Sequence, residues 1–310
     1  MTVQSPNAPR RRSRAWRPLL AALALGAALA LAACGSGGSS SSTSGSAKTT
    51  ASSVQIPPGA LLHSGTLTTG AESDFPPYDF LDANGNYAGF DAELTKKLAA
   101  ALGVKSQVVD TQFSSLVPSL QSRKYDAIIS MLYITPERAK QVDYIPYVNV
   151  TSGFLVKKGG SYQPQQPTDL CGKRVAVNKG SYNEQLLGGD IAKACKRLGR
   201  AAPSIHSFPT DTQAAQEVTA GRADVNFEDT GTAVYRVRQQ PNLGLELSNK
   251  KPLYPIAVGM AVAKGNSATR RVIEDGLAAL QRDGEFQRLL SDWGLQPVDP
   301  QLAQRAMNQG

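Results

Sequence analysis

Three stretches of this chain combine charged or hydroxyl side chains with the kind of break at which a strand runs into a helix. The first is Ser130-Met131-Leu132-Tyr133-Ile134-Thr135-Pro136-Glu137-Arg138. Thr135 can cap a helix, Pro136 can take its first position, and Glu137 suits its positive end. Arg138 then sets a guanidinium fork beside free helix N–H groups, which suits a carboxylate. A solvated arginine on a helix surface is the plainer alternative. The second is Asn178-Lys179-Gly180-Ser181-Tyr182, where a turn at Gly180 leads to a hydroxyl residue at a helix start. Its backbone N–H groups could meet an anion, or Ser181 could be an ordinary cap. The third is Asp224-Val225-Asn226-Phe227-Glu228-Asp229-Thr230, a strand that ends in two acids. Asp229 could receive an ammonium group, or Asp229 or Thr230 could simply cap the next helix. Guanidinium and helix amides for a carboxylate, with an aspartate for an amine, describe the two charged ends of an α-amino acid.

Positioning these groups takes alternating strands and helices. Strands are expected at 65–69, 104–109, 125–130, 173–178, 204–208, 223–227 and 256–263. Pro76-Pro77 and Asp82-Ala83-Asn84-Gly85-Asn86 read as turns, the second as a hairpin tip. Asp91 can cap a helix with Leu94, Leu98, Ala101 and Leu102 on one face, closed by Gly103. Leu116, Val117 and Leu120 mark another helix. Further helices are expected over 182–198, from Thr210 or Asp211 to Gly221, over 230–239, and from Ser267 to the break at Asp283-Gly284. Phe286, Leu289, Leu290 and Trp293 form a last amphipathic segment, and the stretch after Pro297 reads as a short extension with little structure. The alternation restarts near Asp169, which predicts two parallel-sheet α/β units. In such sheets ligands sit beyond the carboxyl ends of the strands, where the three stretches fall.

The order and spacing of several segments resemble the extracellular solute-binding proteins for polar amino acids, family 3. They are Phe75-Pro76-Pro77-Tyr78-Asp79-Phe80, Gly89-Phe90-Asp91, Leu116-Val117-Pro118-Ser119-Leu120-Gln121, Tyr125-Asp126-Ala127-Ile128-Ile129-Ser130, Ile134-Thr135-Pro136-Glu137-Arg138, Gly172-Lys173-Arg174-Val175-Ala176-Val177, Gly221-Arg222-Ala223-Asp224 and Asp283-Gly284 with Trp293-Gly294. The resemblance spans 65–293. It implies a type II periplasmic-binding-protein fold, two α/β lobes joined by a two-segment hinge. Lobe one would be 65–155 plus 259–310, and lobe two 156–258, with crossings near Val156 and Val258. It also implies roles: Arg138 grips a ligand carboxylate, Ser181 assists it, and Asp229 receives an α-ammonium. Phe75 and Phe113 sandwich the ligand side chain, unless they are ordinary core. Glu72 meets a polar or cationic side chain, and Ser130, Tyr133 and Glu228 complete the set. Two positions depart from the family pattern. Met131 stands where Gly or Ser is usual, and Tyr133 where Thr or Ser is usual. These departures make an amino-acid derivative, an opine or a related zwitterion plausible, and Glu72 and Glu228 lean toward a cationic or amide-bearing ligand.

Residues 1–33 read as an address. Arg10, Arg11, Arg12, Arg14 and Arg17 precede an apolar run of 15 residues at 19–33, too short for a spanning helix. Leu31-Ala32-Ala33-Cys34 resembles a lipobox, so 1–33 is expected to be a lipoprotein signal peptide and Cys34 the lipidated residue. The Gly/Ser/Thr/Ala-rich stretch that follows fits a flexible tether, assigned to 34–60. Five of the eight net positive charges lie in 1–33, so the remainder carries no basic footprint for nucleic acid. With Cys34 lipidated, Cys171 and Cys195 are left in an oxidising compartment and are expected to pair; free structural thiols are the alternative.

These readings converge on an extracytoplasmic lipoprotein anchored to the cell membrane, which would bind a small amino-acid-like molecule between two lobes for an ABC importer. Its expected partners are that ligand and the permease subunits; it is expected to be monomeric. No cofactor or metal is expected, since the two His, His63 and His206, lack ligand spacing. A dehydratase-like enzyme on the same fold is the alternative, with Glu72, Glu228 or Tyr133 as acid or base. A sensory input domain is a third reading, disfavoured because no signalling segment follows Gly310.

Overall fold

The computed structural model describes residues 54–308. The expected signal peptide at 1–33 and lipidated Cys34 lie outside the described residues, as does the tether up to residue 53. The end of the expected tether is described, and it is packed. Val54 and Ile56 lie against the core and Ala60 is buried, so the body begins before residue 61.

The first strands and helices are β1 (Thr66–Ala71), β2 (Asp74–Phe75), β3 (Asp79–Leu81), β4 (Tyr87–Ala88), α1 (Phe90–Ala101), β5 (Lys105–Asp110), α2 (Leu116–Gln121), β6 (Ala127–Ile128) and α3 (Pro136–Ala139). β1 lies parallel between β5 and β6. β2, β3 and β4 form a separate antiparallel sheet, and the turn between β3 and β4 is closed by Asp82 N donating to Asn86 O at 2.9 Å. Asp91 does not cap α1, whose cap is Gly89. Its side chain is instead buried and accepts from Met131 N at 2.6 Å and Tyr147 Oη at 2.8 Å.

A long strand, β7 (Val142–Lys157), then carries the chain across. Beyond it come β8 (Arg174–Asn178), α4 (Tyr182–Leu186), α5 (Ala192–Arg197), β9 (Ser204–Phe208), α6 (Asp211–Thr219), β10 (Val225–Asp229), α7 (Thr230–Gln239) and β11 (Leu245–Leu247). β8 lies parallel between β10 and β9. A π-turn at Leu187–Ile191 joins α4 to α5, which gives the helix expected over 182–198. Cys171 and Cys195 are joined in a disulfide that sits in this half's core.

The chain returns through β12 (Leu253–Ala263), α8 (Ser267–Arg282), α9 (Glu285–Trp293), β13 (Gln296–Pro297) and α10 (Pro300–Asn308). The segment after Pro297 is therefore helical rather than unstructured: Ala303 of α10 is buried, and Leu302 and Ala306 pack on the core of the first half. β7 pairs antiparallel with β12 from Val142 to Val150, and with β10 from Ser152 to Leu155. One continuous sheet thus passes through both halves, ordered β5-β1-β6-β12-β7-β10-β8-β9. Pro146, which has no N–H to donate, sits at the register shift between Val258 and Gly259, where the ladder is already interrupted.

Separate sets of apolar side chains fill the two halves. Leu67, Leu94, Leu98, Ile273 and Leu289 belong to one, with segments from both ends of the described chain. Phe154, Val175, Val177 and Phe227 belong to the other. The result is two α/β lobes joined by two crossing strands. The partner exchange on β7 falls between Val150 and Ser152, opposite Leu253 and Ile256, a few residues before the expected crossings at Val156 and Val258.

Candidate ligand-binding cleft

The strand ends of the two lobes face one cavity of about 30 Å³, room for one or two water molecules. Glu72 follows β1, Phe75 ends β2, and Phe113 opens a 3₁₀ turn after β5. Met131 and Tyr133 follow β6. From the second lobe come Asn178 at the end of β8, Ser181 as the cap of α4, Asp211 at the start of α6, and Glu228 and Asp229 at the end of β10.

Asp229 is buried and is the cap of α7, so the plainer sequence alternative holds as well. Its Oδ1 accepts from Gly231 N at 2.7 Å and Thr232 N at 3.2 Å. Two tyrosines from the first lobe add to these. Tyr78 Oη donates to Oδ1 at 2.8 Å and Tyr133 Oη to Oδ2 at 2.7 Å. A glycine at 231 is required for this approach, because a Cβ there would stand 2.0 Å from Tyr78 Oη. Burial pushes the Asp229 carboxyl up, and the hydroxyls of Tyr133 and Tyr78 pull it back.

Arg138 is buried at the start of α3, whose cap Thr135 accepts from Arg138 N. Its Nη1 donates to Tyr133 O at 3.1 Å and its Nη2 to Gly180 O, across the cleft, at 2.8 Å. The guanidinium also stacks 5.2 Å from the centre of the Phe113 ring. Burial lowers its proton affinity, although an arginine stays charged at any physiological pH.

The other end of the cavity is crowded with acids. Asn178 Nδ2 bridges Glu72 Oε2 at 3.2 Å and Asp211 Oδ2 at 3.1 Å. Arg236 is 1 % exposed and lies 3.4 Å from Glu228 Oε2. Glu72 Oε1 and Glu228 Oε1 are buried without a hydrogen-bond partner among the described residues. Burial, aided by the Asp211 charge, raises the Glu72 carboxyl to about 9. Burial raises Glu228 to about 8 against the pull of Arg236. Asp211 is raised to about 6 by burial, against the pull of Asn178 and Arg236. Asp211 and Glu228 therefore share one buried cation, Arg236, while Glu72 has none among the described residues, and the two glutamates hold protons for want of positive charge.

Of the residues singled out from sequence, Glu72, Phe75, Phe113, Tyr133, Ser181, Glu228 and Asp229 line this cavity. Ser130 and Arg138 stand behind it. Ser130 Oγ accepts from Glu72 N at 3.1 Å and so fixes the end of β1. Sequence reasoning did not single out Tyr78, Asn178, Asp211 or Arg236. Tyr78 lies inside a family-like segment and Asn178 ends a strand, but nothing in either residue type announced its partner. Met131 adopts φ 40°, a left-handed conformation costly for a side chain of its size. The bond from Met131 N to Asp91 holds the turn.

The profile described as "Bacterial extracellular solute-binding proteins, family 3" matches residues 67–296. The ABC transporter arginine-binding protein 1 of Escherichia coli (strain K12) is 29% identical over 229 residues, 73% of this chain and 90% of that protein. Among solved structures, an ancestral arginine-binding protein bound to arginine is 36% identical with a TM-score of 0.67, covering 74% of this chain and 98% of that one. An ancestral amino-acid-binding protein, AncCDT-1, described as a precursor of cyclohexadienyl dehydratase, is 34% identical with a TM-score of 0.63, covering 74% and 95%. The type II periplasmic-binding fold follows from these structures and from the two-lobed topology. No helix among the described residues is long and apolar enough to cross a membrane.

Proposed function

We propose, from the premise that this chain belongs to the bacterial extracellular solute-binding proteins of family 3, that it captures a small cationic amino acid or amino-acid-like zwitterion for an ABC importer. The observation that carries the cationic preference is the acid end of the cleft. Glu72, Asp211 and Glu228 converge there, and two of their buried oxygens lack a partner among the described residues. A guanidinium or ammonium would give those oxygens a donor and let the carboxyls ionise. Arg138, behind Phe113 and Tyr133, supplies the charge for a ligand carboxylate. Relatives named for arginine binding support this reading.

In this reading the two lobes, divided at the partner exchange on β7 rather than at 155/156 and 258/259, part to admit the ligand and close on it. A cavity of about 30 Å³ is too small for an amino acid to enter without such opening. Closure would bend β7 and β12 near Thr151 and Tyr254. It would be driven by contacts that only the closed state makes, with donors from one lobe meeting acceptors of the other. Lipidation at Cys34 would keep the binding lobes near a permease, with residues 35–53 as tether. The protein would act as a monomeric binder, not an enzyme. Glu72, Glu228 and Tyr133 would serve recognition, although a relative named as a dehydratase precursor keeps acid–base chemistry at those groups as the second reading. A thermal-shift screen of amino acids, opines and betaines tests the proposal. Cationic members should raise Tm while acidic ones leave it unmoved; stabilisation by acidic ligands alone would refute it.

A further inference from the structure

We infer that Tyr133, together with Tyr78, holds Asp229 in the place a ligand ammonium would take, so that the cleft selects cationic carboxylates without a free α-ammonium. This rests on the cationic-ligand reading above and narrows its ligand class. A carboxylate offers about four lone-pair positions. Asp229 receives four protein donors: Gly231 N, Thr232 N, Tyr78 Oη and Tyr133 Oη. Three of these donors meet Oδ1 and Tyr133 Oη meets Oδ2, so an ammonium can approach Asp229 only at Oδ2, where the Tyr133 hydroxyl and ring already stand. The other donors crowd Oδ1, so an ammonium that takes Oδ2 competes with the Tyr133 hydroxyl. That hydroxyl is buried and would lose its acceptor, a cost a neutral α-position avoids. Burial and the Asp229 charge push both phenols far up, so both remain donors.

Space argues the same way. The Tyr133 ring lines the cavity, packed edge-on against Tyr182 with centroids 6.2 Å apart, and so takes up volume beside Asp229. The acid end is not closed in this way, since Glu72 Oε1 and Glu228 Oε1 remain without donors among the described residues. Arg138 spends two of its five donors on Tyr133 O and Gly180 O, which leaves it able to meet a carboxylate. The class that fits has a guanidinium or ammonium at one end and a carboxylate at the other, with the α-nitrogen absent or acylated. Tyr133 is the residue that sets this specificity.

Calorimetry on the full-length protein tests it with two probes, L-arginine and 5-guanidinopentanoate, which is arginine without its α-ammonium. The wild type should bind 5-guanidinopentanoate more tightly by about tenfold or more. Tyr133→Phe keeps the ring, removes the hydroxyl, and should move the ratio toward L-arginine by about tenfold. A wild-type preference for L-arginine, or a ratio unchanged in Tyr133→Phe, overturns the inference and leaves the cationic-ligand reading standing. Binding of neither probe overturns both.

Discussion

At one end of the cleft, Asp229 is met by two backbone N–H groups and two tyrosine hydroxyls; at the other, Glu72 and Glu228 each keep an oxygen without a partner among the described residues. Both ends are buried, and in both burial raises the carboxyl's hold on its proton. The difference lies in what surrounds them. Neutral donors built into the fold steady Asp229, whereas Asp211 and Glu228 share the guanidinium of Arg236 and Glu72 meets the neutral Asn178 amide. A buried acid that the protein completes by itself is a structural joint. Buried acids left short of positive charge fit the proposed site for a ligand cation.

The largest effect is expected where that distinction is removed at the acid end. Glu72→Gln should weaken a cationic ligand by about 2–4 kcal/mol, as when one member of a buried charge pair is lost, and calorimetry reads it directly. Asp229→Ala should act mainly on stability, costing about 2–3 kcal/mol through the lost cap and two orphaned hydroxyls, measured by denaturant unfolding. An effect on affinity alone, with stability intact, would make the two ends alike.

Among conditions rather than substitutions, a graded effect follows from pH. Glu72 and Glu228 hold protons to about 9 and 8 in the folded chain, while unfolded glutamates release them near 4.3. Between these limits the folded state binds more protons than the unfolded state. Its stability should therefore fall as pH rises from about 5 to 8, by up to ~1.4 kcal/mol per pH unit for each group. Thermal unfolding across that range should show the decline, and Glu72→Gln should flatten it. The smallest effect is expected at Gly231→Ala. The added Cβ would force Tyr78 off Asp229, at about 1–2 kcal/mol of stability, while the tie from Tyr133 persists.

Much of this architecture is legible locally. Strand–helix alternation, the Thr135-Pro136 start of α3 and the apolar face of α8 follow from short-range patterns, and so do the strand ends that carry Ser181 and Glu228; Glu72 is legible only through the family resemblance. What escaped depends on distant partners. β7 carries Pro146, Asn149, Thr151 and Gly153, which blur its alternation, and its continuity comes from pairing with β12 and β10. α10 is amphipathic but short, and its packing partners lie far away in sequence. Asp91 looks like a cap because it follows Gly89-Phe90, yet its acceptors' partners, Met131 and Tyr147, are 40 and 56 residues away. The same holds for Asp211, a helix-start residue turned inward by its bond to Asn178. Charge and spacing announced the cleft; its division into a completed end and an unsatisfied end required the tertiary contacts.

The most direct test of that division compares L-arginine with L-citrulline at pH 8, near-isosteric ligands that differ in the charge of the terminal group. Calorimetry on the full-length chain should show L-arginine bound more tightly by about 2 kcal/mol or more, as expected for a buried charge-assisted contact. Equal affinity, or a preference for L-citrulline, would contradict the assignment of the acid end to a cation.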